Sequence, residues 1–123
     1  MSTLNILTGH VQGKVPVTVL RIEGDIDAST HKILQEKATE VIEDGSTHIL
    51  LDLSGVNYMG SAGFRAIHAI SNMLGSNDAP GLSKSPHLKL LNPTDAVSRV
   101  IKTLGFDVYL DIFQDRDTAV NSF

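Results

Sequence analysis

The 123-residue sequence has no cysteine, which excludes disulfides and thiolate metal sites and is compatible with a reducing compartment, so a cytoplasmic location is expected. Its 10 Lys and Arg residues are outnumbered by 14 Asp and Glu and are scattered along the chain, giving a formal net charge of −4. Nucleic-acid binding relies on clustered cations that release counterions from phosphates, so no nucleic-acid partner is expected. No apolar run approaches the ~18 residues needed to span a bilayer. Residues 1–7 also lack the basic and apolar regions of a secretory signal, so no membrane insertion is expected. The histidines, His10, His31, His48, His68 and His87, form no pair at ligand spacing, and no metal is expected. Gly24-Asp25-Ile26-Asp27, after the first long strand, has neither the glycines nor the charge of a nucleotide-binding turn. Neither a cofactor nor a small-molecule substrate is expected.

What is present is an ordinary globular composition, 41% hydrophobic and 20% charged, on a length that suits one domain over residues 1–123. Residues 15–22 are β-branched and partly alternating, a half-buried strand that Gly24-Asp25 should end. A short strand at 4–7 can pair with it across Gly13. Apolar residues at Ile33, Leu34, Ala38, Val41 and Ile42 predict an amphipathic helix over 29–43, with Asp27, Ser29 or Thr30 as N-cap and Gly45 past its end. Residues 48–53 are almost continuously apolar, the pattern of a central strand covered on both faces, ending at Asp52 and a polar turn. Phe64, Ile67, Ile70 and Leu74 then form the stripe of a second helix over 61–74, leaving Arg65, His68 and Asn72 outward. Residues 75–86 read as a surface loop, mobile or specialised by its length. A strand at 87–91 follows. Asn92-Pro93-Thr94 supplies a cap and a first-turn proline for a helix over 94–104, which Gly105 closes, and 108–113 and 115–122 make a last short strand and helix.

Strands alternating with helices in this way imply an α/β fold, a single-layer, mixed and mostly parallel sheet of about five strands with helices packed against it. Sites in such sheets gather beyond the carboxyl ends of the strands, here at 24–30, 54–61 and Asn92-Pro93.

One segment speaks about function. Residues 52–64 leave a buried strand, turn, and enter a helix at Ser61. As N-cap, Ser61 would hold its hydroxyl among unpaired amide N–H groups at the positive end of the helix dipole. A phosphate on that oxygen, carrying roughly −1.5 to −2 charges, would be tolerated by the helix end while the surrounding surface changed sign. On the residues alone, a plain helix cap is the better reading of Ser61.

The pattern Asp52-Leu53-Ser54-x-Val56-x-Tyr58-Met59-x-Ser61-x-Gly63 resembles the signature of the anti-sigma factor antagonists of the STAS domain family. Gly24-Asp25-Ile26-Asp27, Lys89-Leu90-Leu91-Asn92-Pro93 and Leu104-Gly105-Phe106 are similar to further family segments, in the family's order over residues 15–120. The resemblance implies a STAS-like fold and a non-enzymatic partner-switching regulator. The unmodified form would bind an anti-sigma factor that is also a serine-protein kinase, phosphorylation at Ser61 would release it, and a serine phosphatase would restore binding. ATP and magnesium would belong to the kinase. Asp27 matches the family's acidic residue near the phosphorylated loop and can equally cap its helix, while Asp52 and Asn92 give structural support.

The sequence departs from the pattern at three places. Gly60 stands where the family has an acid before its serine, Ala62 where it has Ser or Thr, and Arg65 where many members have a second glycine; Gly63 keeps its place. Arg65, one helical turn beyond Ser61, either pairs with the phosphate or the partner, or is a solvated surface residue. The missing acid also keeps open a constitutive STAS-like adaptor or accessory subunit, for example of a transporter ATPase, with a purely structural Ser61. A serine hydrolase is poorly matched, because Met59-Gly60-Ser61-Ala62-Gly63 puts Met59 where the nucleophile elbow needs glycine. His68, two helical turns on, is also too far along the axis to serve as its base.

Overall fold

The computed structural model describes residues 4–74 and 87–123. The loop expected at 75–86 lies outside the described residues. Two β-rich stretches separated by Gly13 pair as an antiparallel hairpin, β1 (Leu4–Gln12) with β2 (Pro16–Ile26), in unbroken register from Leu4 opposite Gly24 to Gln12 opposite Pro16. β2 then pairs in parallel with β3 (Ile49–Met59), β3 with β4 (Leu88–Leu91), and β4 with β5 (Ile112–Phe113). The order is sequential, β3 is central, and the sheet is mixed and mostly parallel, as expected. The helices are α1 (His31–Glu43), α2 (Ser61–Met73), α3 (Asp95–Leu104) and α4 (Arg116–Asn121), with a 3-10 turn at Phe106–Val108.

Strand side chains alternate between two faces, and the alternation divides the core. Leu20, Ile22, Ile49, Leu51, Leu53, Leu88 and Leu90 pack with Leu34 and Ala38 of α1, Phe64, Ile67 and Ile70 of α2, and Val97 and Ile101 of α3. Val17, Val19, Leu50 and Leu91 point the other way, under Ala119 and Val120 of α4. On that second face Lys89 is buried, and its ammonium donates to the Ser122 carbonyl at 2.9 Å and to the Ser122 hydroxyl at 3.0 Å. Burial pushes the Lys89 pKa down, and the Asp111 carboxylate 3.8 Å away partly opposes that shift.

Several boundaries differ from the sequence expectation. β2 does not stop at Gly24; the glycine takes φ +122° and the strand continues to Ile26. β1 is correspondingly longer than 4–7. β3 does not end at Asp52 but runs on to Met59 through two register shifts against β2. Each shift gives β3 an extra residue, so its buried positions become Leu53, Val56 and Met59, a spacing of three where an unbroken strand would show two. Gly55 belongs to the first irregularity, where a side chain would begin 2.9 Å from the Ile22 carbonyl oxygen. Thr94, not Asn92, caps α3: its hydroxyl oxygen accepts from the Val97 N–H and donates to the Val56 carbonyl. Pro93 therefore precedes the cap instead of opening the helix. A 3-10 turn occupies the start of the expected strand at 108–113, leaving only Ile112–Phe113 paired.

Candidate functional site

β2 and β3 end side by side, with Asp25 opposite Tyr58 and Ile26 opposite Met59. The Gly60 N–H donates to the Ile26 carbonyl at 2.9 Å, joining the strand ends at the point where each chain turns into its helix. This pairing brings the loop that carries Asp27 beside the start of α2, although the two are far apart in sequence.

The Asp27 loop is held from within. Its Oδ1 accepts from the Ser29 N–H (2.9 Å) and the Ser29 hydroxyl (2.7 Å), while the buried Thr30 hydroxyl donates to the Asp25 carbonyl (2.7 Å) and accepts from the Asp27 N–H (2.9 Å). The Ser29 hydroxyl, then its N–H, hold the Asp27 carboxyl below the usual 3.8. Asp27 is thus a fixed anion. The helix behind it begins at His31 with Thr30 in the N-cap position, so none of the expected caps accepts a side-chain bond in the usual way; Asp27 organises the turn before the helix instead.

At the start of α2 the N-cap is Gly60 and Ser61 is the first helical residue, which corrects the expectation that Ser61 itself caps the helix. The reason lies in the backbone: Gly60 is extended (φ −87°, ψ 179°) and its carbonyl already receives the N–H groups of Gly63 and Phe64. Ser61 is exposed, no side chain caps the helix, and its first turn holds no acidic residue. The N–H groups of Ser61 and Ala62 thus have no carbonyl within the helix to donate to.

Gly63 is buried where α2 rests on the strand ends. A Cβ there would lie 2.6 Å from Met59 Cγ and 2.8 Å from Ile26 Cγ2. Close approach, not backbone conformation, requires the glycine. At Gly60 a side chain would start 3.2 Å from the hydroxyl of the exposed Tyr58, whose ring leans over that position.

Arg65 is exposed one turn beyond Ser61 and forms no ion pair with a described residue. With Ser61, His68, Leu104 and Tyr109 it borders an open groove of about 450 Å³, floored by the rings of Phe64 and Phe106 stacked 5.3 Å apart. Leu104, Tyr109 and nearby Val108 are 52%, 60% and 61% exposed, so the surface beside Ser61 is apolar with a cationic rim.

The structure therefore brings together Asp27, Gly60, Ser61, Ala62, Gly63 and Arg65, and leaves out Asp52 and Asn92. Asp52 lies opposite Leu91 within the sheet, where its Oδ1 accepts from the Ser54 N–H and hydroxyl, and does not terminate β3. Asn92 follows the end of β4 at φ +50°, its N–H donating to the Phe113 carbonyl. β3 continues past that level to Met59, which sets Asn92 roughly 15–20 Å from Ser61 along the strand. Sequence reading missed Tyr58, Leu104 and Tyr109 as parts of this surface. The signal for the last two was an apolar pair around Gly105-Phe106 on a helix end whose own stripe is already complete at Val97 and Ile101. Among the described residues no group of His, Asp and Glu is arranged to hold a metal ion, and no helix is long and apolar enough to cross a membrane.

Comparison with known proteins bears on the fold and the family. Over 77 residues, 63% of this chain and 63% of the relative, the sequence is 36% identical to the anti-sigma-F factor antagonist RsfB of Mycobacterium tuberculosis. The aligned part thus falls short of two thirds of that relative's length. The fold is similar to that of an anti-sigma factor antagonist from Mycobacterium paratuberculosis, with a TM-score of 0.78 at 23% identity over 98% of this chain and 93% of the other. It is also similar to the Bacillus anti-sigma factor antagonist SpoIIAA in two forms. The unphosphorylated form gives a TM-score of 0.73 at 18% identity over 95% of this chain and 94% of the other; the phosphorylated form gives 0.66 at 18% over 95% and 97%. The sequence pattern of the STAS domain matches residues 10–119, nearly the whole chain, and the protein belongs to the STAS domain family.

Proposed function

We propose that this STAS domain is an anti-sigma factor antagonist that switches partners through phosphorylation of Ser61. The observation that carries the reading is the exposed Ser61 hydroxyl on the first turn of a helix with neither a side-chain cap nor an acidic residue. That helix end stabilises negative charge through its dipole and free N–H groups, so a phosphate can be added without disturbing the core. The resemblance to RsfB supports the antagonist role, and a neighbour of the same fold, SpoIIAA, exists in phosphorylated and unphosphorylated forms.

In this reading the unmodified chain binds a cytoplasmic anti-sigma factor that doubles as a serine kinase, through Asp27, the Gly60–Arg65 turn and the adjoining apolar groove. The unmodified turn presents Arg65 and no acid at Gly60, so the dianion reverses its local charge. A charged group inside a packed interface costs a few kcal/mol in desolvation and like-charge repulsion, enough to shift affinity by orders of magnitude. Arg65, a turn away on the same face, then pairs with the phosphate and holds it over the helix end. A phosphatase returns the domain to its binding form.

The test is incubation with ATP, magnesium and the switch-kinase anti-sigma factors of the same genome, followed by intact-mass analysis and a binding titration. The expected result is one phosphate per chain, absent from Ser61→Ala, with binding lost on modification and retained by Ser61→Ala. Arg65→Ala is expected to alter phosphorylation rate or affinity. Gly60, in place of an acid, favours one second reading, a constitutive adaptor; a chain that binds its partner yet accepts no phosphate would establish it.

A further inference from the structure

The two edges of the sheet are built differently. β5 is two residues long and flanked by Asp111 and Asp115, which leaves little to pair with. β1 is nine residues long, about 30 Å of extended chain, and among the described residues pairs with β2 along one side only. Roughly half of its backbone N–H and C=O groups point away from β2. Exposed edges are usually blunted by lysine, proline, a bulge or shortness. β1 has none of these: its sequence, LNILTGHVQ, carries no formal charge with His10 neutral, and its register with β2 is unbroken.

We propose that β1 pairs with β1 of a second copy, antiparallel about a two-fold axis at Thr8, joining the two sheets into one. The strand is complementary to itself in that register. On the α4 side of the sheet, Leu7, which is 57% exposed, falls opposite Gly9 of the second copy, and nothing lies within 4 Å of where a Gly9 side chain would begin. Protrusion therefore meets open space, twice by symmetry. On the α1 side Ile6 falls opposite His10 and Thr8 opposite Thr8, with no like charges opposed. The two-fold axis, perpendicular to the sheet, sets both α1 helices on one face. There the 41%-exposed Ile33 and Ile6 border a groove of about 300 Å³, rimmed by Glu36, Glu40 and Lys37. That rim carries a cation, Lys37, as well as the acids Glu36 and Glu40, so an acid of one copy can meet the lysine of the other. The pairing draws on neither Ser61 nor its modification, so the inference stands independently of the proposed function.

Sedimentation equilibrium of the untagged chain over a range of about 5 to 500 μM tests it. The expected result is a monomer–dimer equilibrium, weakened about fivefold or more by Thr8→Lys and by Thr8→Glu, with association recovered when the two variants are mixed. Thr8 is exposed, so the variant monomers should keep the wild-type circular dichroism spectrum. Should a variant fail to fold, concentration-dependent amide-exchange protection of residues 4–12 in the wild type reads the same contact. A chain that stays monomeric over the whole range overturns the proposal, as does a dimer unaffected by both substitutions or one protected only outside β1.

Discussion

Gly63→Ala isolates the contact that holds α2 against the ends of β2 and β3. Gly63 is the third residue of α2, where alanine would relieve a backbone-entropy cost of about 0.5–1 kcal/mol. Against that gain stands the added methyl, 2.6 Å from Met59 Cγ and 2.8 Å from Ile26 Cγ2, where carbon atoms pack well at ~3.5–4.0 Å. Both atoms belong to buried side chains, Ile26 at 0% and Met59 at 4% exposure, so neither can swing into solvent. Overpacking of this kind costs about 1–3 kcal/mol, and the balance is a net loss of about 1–2 kcal/mol. For a chain of this size that lowers Tm by about 3–8 °C. Urea unfolding should show a lower midpoint at unchanged m, because the surface exposed on unfolding is the same. Ile26 and Met59 precede the Asp27 loop and Gly60-Ser61, so under the proposed switch the rate of phosphate transfer to Ser61 should fall in the same variant at temperatures where it remains folded. A midpoint equal to or above wild type would refute the close-approach argument.

Gly60→Asp restores an acid before Ser61 and should raise stability by about 0.3–1 kcal/mol, since an extended N-cap position favours Asp and the helix end favours its charge. Thermal unfolding measures it, and a fall in Tm would mean that the Tyr58 hydroxyl cannot yield the 3.2 Å contact. Asp27→Asn should flatten the acid limb of stability. The folded carboxyl is held below 3.8, so its contribution is full above that value and is lost as pH falls through the lower folded pKa. Denaturant midpoints of wild type and variant between pH 2 and 6 should therefore converge toward the acid end, and parallel curves would show that the Ser29 bonds add nothing.

The sheet was legible because its strands obey simple periods: the apolar run at residues 49–51 reads as a covered central strand, and β3 is the middle of five. Helices α1 and α2 were legible from apolar stripes, of which Leu34, Ala38 and Val41 and Phe64, Ile67 and Ile70 are buried while Ile33 is exposed, and α3 from its capping residues and closing glycine; Arg65, His68 and Asn72 are exposed on α2 as expected. The continuation of β3 was hidden because two irregularities turn its buried spacing from two to three, which a local reading takes for the end of a strand. At α1 the structure selects Thr30 from the three expected caps, while the caps of α2 and α3 lie one and two residues from the expected Ser61 and Asn92, since all are acceptable by type and the backbone path selects among them.

The order of residues by itself determined which segments form strands, which helix faces are buried, and that a hydroxyl would stand at the head of α2, because these depend on periodicity and local chemistry. Only the tertiary structure decided that Asp27 lies beside Gly60-Ser61 while Asp52 and Asn92 do not. It also decided that Leu104, Phe106 and Tyr109 complete a groove with Arg65, and that among the described residues β1 is left as a long open edge. Those outcomes depend on which parallel strands become neighbours and how far each runs past the next. Register of that kind comes from packing the whole sheet against its helices, and no single segment encodes it.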